Sequence, residues 1–207
     1  MSNLDFETKI WESKNRYVCG IDEVGRGCIA GPVYSGAVIF NPESNFQNPY
    51  FKSINDSKKI SEKKRESLVP YIKKISLSYS TGYCTSDEVD SIGIQEAVKL
   101  SMIRAIENLK ITPDFLLIDS MKIESKIPQI NIIKGDETSK TISAASIIAK
   151  VERDNLMKVK IAHKYKNYNF QKNKGYGTKE HLEAIKKFGI TEIHRKTFEP
   201  IKSMIVN

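Results

Sequence analysis

The residues in this sequence best suited to chemistry are acids. Asp22 and Glu23 stand side by side at the end of the apolar run "RYVCGID", Asp119 ends "PDFLLID", and Asp136 ends "QINIIKGD". Taken singly, each has an ordinary explanation, because an Asp at a strand end satisfies loop amides or caps a helix. The coincidence of apolar runs that all finish in acid is a stronger signal, since functional groups gather at strand ends in an α/β sheet. Carboxylates converging there would raise one another's pKa unless a cation joined them. An all-oxygen set suits a hard divalent ion, Mg²⁺ or Mn²⁺, completed by water and substrate phosphate with no His or Cys required. Asp154 in "KVERD" is a further acid; by helical spacing it reads as an ion-pair partner for Arg153 or Lys158.

Immediately after the first acids comes Gly25-Arg26-Gly27. With Ala30 it matches the G-x-G-x-x-G/A dinucleotide fingerprint, but that fingerprint needs a helix next. Here Pro32 and "VYSGAVIF" read as strand, and Asp22 and Glu23 would repel a pyrophosphate. A dinucleotide-dependent enzyme is therefore a weak alternative.

The elements that must position these residues follow from pattern. "RYVCGID" and "GPVYSGAVIF" have the β-branched and aromatic content of strands, and Pro42 stops the second. A basic helix begins near Ser61, a plausible N-cap, with Pro70 as a kink or break. "SLSYSTGYC" alternates as a third strand, and Ile94, Ala97, Val98, Ser101, Ala105 and Leu109 share one face of a helix after Gly93. "PDFLLID" reads as a strand buried on both faces. "SKTISAASIIAKVERDNLMKVKIAHKY" reads as a long helix, small-residued at first and basic later; a last helix spans 178–188, and the tail shows no regular pattern. The alternation predicts an α/β domain: a mixed sheet flanked by helices, with a helical C-terminal extension. No internal repeat or linker divides the chain, so residues 1–207 are expected to form one domain.

Composition narrows the class. The net charge of +8 is not spread evenly: residues 158–207 hold 12 Lys and Arg against 4 Asp and Glu, while the rest of the chain is neutral. Among those lysines lie Tyr165, Tyr168, Phe170, Tyr176 and Phe198, a mixture suited to neutralising phosphates and stacking on sugars or bases. A solvated lysine-rich face is the plainer alternative. Cys19, Cys28 and Cys84 form no C-x-x-C pair, which suits a reducing compartment, and no export or membrane segment is visible, so a cytoplasmic location is expected. On charge alone, a catalytically silent nucleic-acid-binding protein remains an alternative.

"GIDEVGRGCIAGPV", followed in order by "DSKKIS", "LLIDS", "KGD", "SAASIIAKVERD", "KGYGTKEH" and "HRKTFEP", resembles the ribonuclease HII (type 2 ribonuclease H) family over nearly the whole chain. The resemblance implies a ribonuclease H-like fold. It also implies endonucleolytic cleavage of RNA paired to DNA, including single ribonucleotides embedded in a duplex, with two divalent ions, Mg²⁺ or Mn²⁺. It assigns the metal ligands to Asp22, Glu23, Asp119 and Asp136. Gly25, Arg26 and Gly27 would let the backbone meet a ribose 2′-hydroxyl while Arg26 holds the adjacent phosphate. Tyr176 would stack on the sugar at the deoxyribose side of the junction. Lys58, Lys59, His194, Arg195 and Lys196 are expected to touch the nucleic-acid backbone, although Lys58 and Lys59 read equally well as solvated loop residues, and Ser143 and Ser146 either contact phosphates or pack their helix. With about 16 residues before the first strand, type 2 is favoured over type 3. A monomer is expected, and the tail "EPIKSMIVN" shows no sliding-clamp peptide.

Overall fold

The computed structural model of the protein describes residues 2–13 and 15–206. In chain order the elements are α1 (Asp5–Glu12), β1 (Val18–Val24), β2 (Val33–Phe40), α2 (Pro49–Lys52), α3 (Glu62–Ile75), β3 (Ser76–Cys84), α4 (Ser86–Ile92), α5 (Ile94–Glu107), β4 (Phe115–Asp119), β5 (Gln129–Ile132), α6 (Gly135–Thr138) and α7 (Lys140–Asn155). A π-helical stretch (Leu156–Ile161) carries α7 into α8 (Ala162–Lys164), and α9 (Phe170–Asn173), α10 (Lys179–Phe188) and α11 (Ile201–Val206) complete the chain. The strands form a mixed sheet in the order β3-β2-β1-β4-β5. β1 lies at its centre, antiparallel to β2 and parallel to β4.

The period-2 pattern of β1 assigns its faces. Cys19 and Ile21 point to a core with Val98, Met102 and Ala105 of α5, whereas Val18 packs with Ile142 of α7 on the other face. Gly20 and Gly36 lie under α7, where an added Cβ would sit 2.2 Å from backbone atoms of Thr141 and Ala145 respectively. The small residues in the first half of α7 therefore let that helix rest directly on the sheet backbone, close to Asp22.

Some expectations need correction. α3 runs unbroken through Pro70. That residue is exposed, so solvent can take the carbonyl it frees, while Leu68 and Ile72 are fully buried on either side and pin both halves. Asp136 does not end a strand: β5 stops at Ile132, Lys134 turns the chain with φ 56°, and Asp136 is the second residue of α6. The tail forms α11, anchored by buried Ile201. Tyr168 and Phe170, read as stacking surfaces, are core residues packed with Ile29, Met157 and Ile185.

Candidate metal centre and its supporting turn

Parallel pairing brings the acids together. Ile21 of β1 is in register with Ile118 of β4, so the next residue of each strand, Asp22 and Asp119, emerges on the same face. Both acids of the first pair lie within β1, because β2 continues to pair with them through Val24. Carboxylate oxygens of Asp22, Glu23 and Asp119 all fall within 4.8 Å of one another. Asp136 stands just outside this trio, its Oδ2 3.8 Å from Lys58 Nζ. Its loop is tied to the trio because the Gly135 N–H donates to Asp119 Oδ1 at 2.6 Å. The Ser143 hydroxyl donates to the Asp136 carbonyl at 2.7 Å, so this serine shapes the turn rather than facing solvent.

The field at the cluster is strongly negative. Burial, then the charges of Glu23 and Asp119, hold the Asp22 carboxyl well above its usual range, with a Ser146 hydrogen bond opposing. Glu23 is raised by burial and by Asp119, against Arg26 and Lys58. Asp136 is raised by burial, then by Asp119 and Asp56. The nearest cations stay at the rim: Arg26 lies 3.6 Å from Glu23 with its side chain 46% exposed, and Lys58 is 80% exposed. Among the described residues no cationic side chain fills the centre of the trio, and the donors are all carboxylate oxygens, a set that fits a hard divalent ion.

The turn that follows is built around two buried arginines. Arg195 donates from Nη2 to the Gly25 carbonyl and from Nη1 to the Arg26 carbonyl, each at 2.8 Å, and from Nε to that of Gly31 at 3.0 Å. Arg153 donates to the carbonyls of Pro32, Lys174 and Ala30 at 2.9, 3.0 and 3.3 Å. A planar fork of donors can serve several carbonyls at once, which an ammonium cannot. Burial pulls Arg195 down only to about 10, so it stays charged at neutral pH. The two glycines of the turn serve different ends. Gly25 has φ +85° and a Cβ there would strike Arg153 at 2.2 Å, whereas a Cβ on Gly27 would meet nothing within 4 Å. Gly25 shapes the fold, and Gly27 leaves the outer face of the turn open.

The other expected residues divide between surface and interior. His194 and Arg195 are fully buried, so neither can touch a nucleic-acid backbone in this conformation: the turn takes up Arg195, and a second histidine takes up His194. Lys58, Lys59 and Lys196 are exposed; Lys59 pairs with Glu137 at 2.9 Å. The Ser146 hydroxyl is buried against that of Ser57 at 2.9 Å. Tyr176 is 40% exposed, with Lys150 Nζ 5.4 Å and Arg153 Cζ 6.0 Å from its ring centroid. Asp154 accepts from Lys150 at 2.8 Å, not from Arg153, which is committed to carbonyls, or Lys158, which pairs with Glu62 at 2.6 Å. Sequence reasoning missed the supporting roles of Arg153, His181 and Ser57; the only hint was polar residues inside otherwise apolar or small-residue segments.

Comparison with solved structures places this architecture. It matches a ribonuclease H2 from Pyrococcus horikoshii with a TM-score of 0.75 and 26% identity, covering 90% of this chain and 96% of that one. It also matches the RNase HII of a PCNA:RNase HII complex from Archaeoglobus fulgidus, with a TM-score of 0.73 and 25% identity over 88% and 95% of the two chains. The sheet with its clustered carboxylates is thus that of a ribonuclease H, a metal-dependent nuclease. The family model for ribonuclease HII matches residues 19–201, and a ribonuclease HII of Staphylococcus saprophyticus is 48% identical over 202 residues, 97% of this chain and 77% of that protein. The chain belongs to the ribonuclease HII family. It is an endoribonuclease, and no helix among the described residues is long and apolar enough to cross a membrane.

Proposed function

We propose that residues 1–207 act as one catalytic unit that nicks a DNA duplex on the 5′ side of an embedded ribonucleotide and also cuts the RNA strand of longer hybrids. The observation that carries this reading is the trio of carboxylates within 4.8 Å set against a turn whose Gly27 face is open. Asp22, Glu23, Asp119 and Asp136 would hold two Mg²⁺ or Mn²⁺ ions with substrate bound. Such ions would supply an activated water for in-line attack and charge stabilisation at the leaving 3′-oxygen, which would give a 5′-phosphate and a 3′-hydroxyl. The chain supplies the rest. The open backbone at Gly27 approaches the ribose 2′-hydroxyl, Arg26 holds the neighbouring phosphate, and the exposed part of the Tyr176 ring stacks on the deoxyribose beyond the junction. Lys58, Lys59 and Lys196 line the path of the phosphates.

The test is a labelled duplex containing one ribonucleotide, incubated with Mg²⁺, Mn²⁺ or EDTA. A metal-dependent nick 5′ to the ribonucleotide is expected. Cleavage only of continuous RNA in a hybrid would overturn the account of the Gly25–Gly27 turn while leaving the metal site intact.

Metal should also stabilise the fold in a pH-dependent way. The raised carboxyls of Asp22, Glu23 and Asp136 bind protons more tightly folded than unfolded. Their contribution to metal-free stability is therefore present at acid pH and lost as pH rises through the folded values. A divalent ion needs the ionised carboxylates, so its stabilising effect grows over that same rise. Melting curves should show a Mn²⁺-induced gain of about 5–10 °C at pH 8 for ion at about a hundred times Kd, shrinking towards pH 5. A gain that is larger at pH 5 would contradict this.

A further inference from the structure

His181 and His194 are fully buried, and their Nε2 atoms lie 3.1 Å apart. The partners on either side fix which atoms carry protons. The backbone N–H of Thr191 donates to His194 Nδ1 at 2.9 Å, so that nitrogen is an acceptor. Neutral His194 therefore carries its proton on Nε2 and donates to His181 Nε2. His181 in turn carries its proton on Nδ1 and donates to the Tyr176 carbonyl at 2.8 Å. The rings of Tyr168 and Phe170 enclose the pair, with the Phe170 centroid 5.1 Å from that of His181. Burial holds both rings neutral, pulling His194 down to about 4. A proton added to either ring would set two N–H groups against each other.

The chain of donors ends at a residue beside the substrate-reading turn. The Gly175 carbonyl accepts from Ile29 N–H and Ala30 N–H at 3.0 and 3.2 Å, which binds the Tyr176 segment to the loop that follows Gly25–Gly27. The Tyr176 backbone is thus gripped from two sides, by that loop and by His181, while its ring is left partly exposed.

We propose that His181 is a positioning residue for the nuclease reaction, its Nδ1–H fixing the Tyr176 carbonyl and so the angle at which that ring meets the substrate, and that His194, by donating to Nε2, completes a one-directional hydrogen-bond relay that holds His181 in the tautomer able to do so. This rests on the reading of Tyr176 as the residue that stacks on the sugar. The relay predicts that the two imidazoles matter through proton placement as well as packing.

Two replacements of one ring separate those contributions. His181→Asn keeps a side-chain N–H near the Nδ1 position and so the bond to Tyr176, but loses the acceptor for His194. His181→Gln keeps an acceptor for His194 near the Nε2 position but loses the bond to Tyr176. With Mn²⁺-loaded enzyme and the single-ribonucleotide duplex, His181→Gln should lose about tenfold in kcat/KM, the scale of one hydrogen bond. His181→Asn should stay within about threefold even where it melts at a lower temperature. Activity that follows melting temperature in both variants, or equal activity in the two, would overturn the relay. Tyr176→Ala is the control: wild-type cleavage by that variant would sink the stacking reading itself, whereas a defect in Tyr176→Ala with none in His181→Gln would sink only the relay. A measurement on the unmodified protein guards against misfolded variants. Imidazole ¹⁵N spectra should show His194 protonated at Nε2 and His181 at Nδ1, both distinct from His163, the third histidine, which is exposed. An imidazolium at either buried site at neutral pH, or the reverse tautomers, would refute the proposal.

Discussion

Replacing Asp22 by Asn is expected to lower cleavage by about 10³-fold or more, roughly 4 kcal/mol of transition-state stabilisation, while raising the melting temperature of the metal-free protein. The opposite signs share one cause. Asp22 is 4% exposed and faces Glu23 and Asp119 across less than 4.8 Å, so its charge is the least well solvated of the trio. Asn has nearly the same shape, and its side-chain oxygen can still accept the Glu23 N–H that Asp22 accepts at 2.7 Å. Packing is therefore retained and a buried repulsion is removed, for a gain of roughly 1 kcal/mol, or about 2–4 °C at this chain length. On the proposed metal reading, a divalent ion would lose a charged ligand at the same stroke. Single-turnover cleavage, hybrid-binding titrations and melting curves without metal measure the three effects. Hybrid affinity should be unchanged, because the basic rim is untouched. Cleavage within tenfold of the unmodified enzyme would remove Asp22 from the metal site.

Arg195→Met is expected to cost about 3–6 kcal/mol of stability. It leaves the buried carbonyls of Gly25 and Gly31, and the partly buried one of Arg26, without their donor, at about 1–2 kcal/mol for each orphaned acceptor. At about 2–4 °C per kcal/mol the melting temperature should fall by at least about 6 °C. Arg195→Lys should fare little better, since an ammonium cannot satisfy three separated carbonyls in one plane. The same experiment discriminates this role from a phosphate contact. A phosphate-binding arginine would leave melting unchanged and reduce the salt dependence of hybrid binding by about one counterion. A loss of less than about 1 kcal/mol would show that the turn does not depend on the buried fork.

The contrast between Arg195 and Asp22 marks what a linear sequence can disclose. Strand β1, the helix after Gly93 and the acids at the ends of β1 and β4 are legible because their signals are local: alternation, helical spacing, and an apolar run broken by a carboxylate. The convergence of Asp22 and Asp119 is legible through one further step, that parallel neighbours end on the same side of a sheet. Asp136 comes near the trio by a route other than the strand end its sequence suggests, because the turn at Lys134 uses a left-handed backbone that no sequence rule for lysine suggests. Arg195 and His194 sit in a run that reads as a basic surface, "HRKTF". Nothing within a window of ten residues shows that backbone carbonyls from residues 25–31 will solvate the guanidinium, or that His181 will meet the imidazole. The misassignment of Asp154 has the same origin. Its nominal partner Arg153 was spoken for by distant carbonyls, which left Lys150, one turn back, as its cation.

The reach of Arg195 has a consequence for how the enzyme comes into being. The groups it joins, at positions 25 and 195, are 170 residues apart, nearly the full length of the chain. During synthesis the acids of β1 leave the ribosome early and can pair with β2 and β4 as those strands follow. The carbonyls of Gly25, Arg26 and Gly31 lack their side-chain donor until Arg195 has emerged, after Arg153 has already met those of Ala30 and Pro32. An incomplete polypeptide therefore carries carboxylates without the full shape of the turn beside them, and the proposed capacity to cut nucleic acid arrives only once Arg195 has emerged.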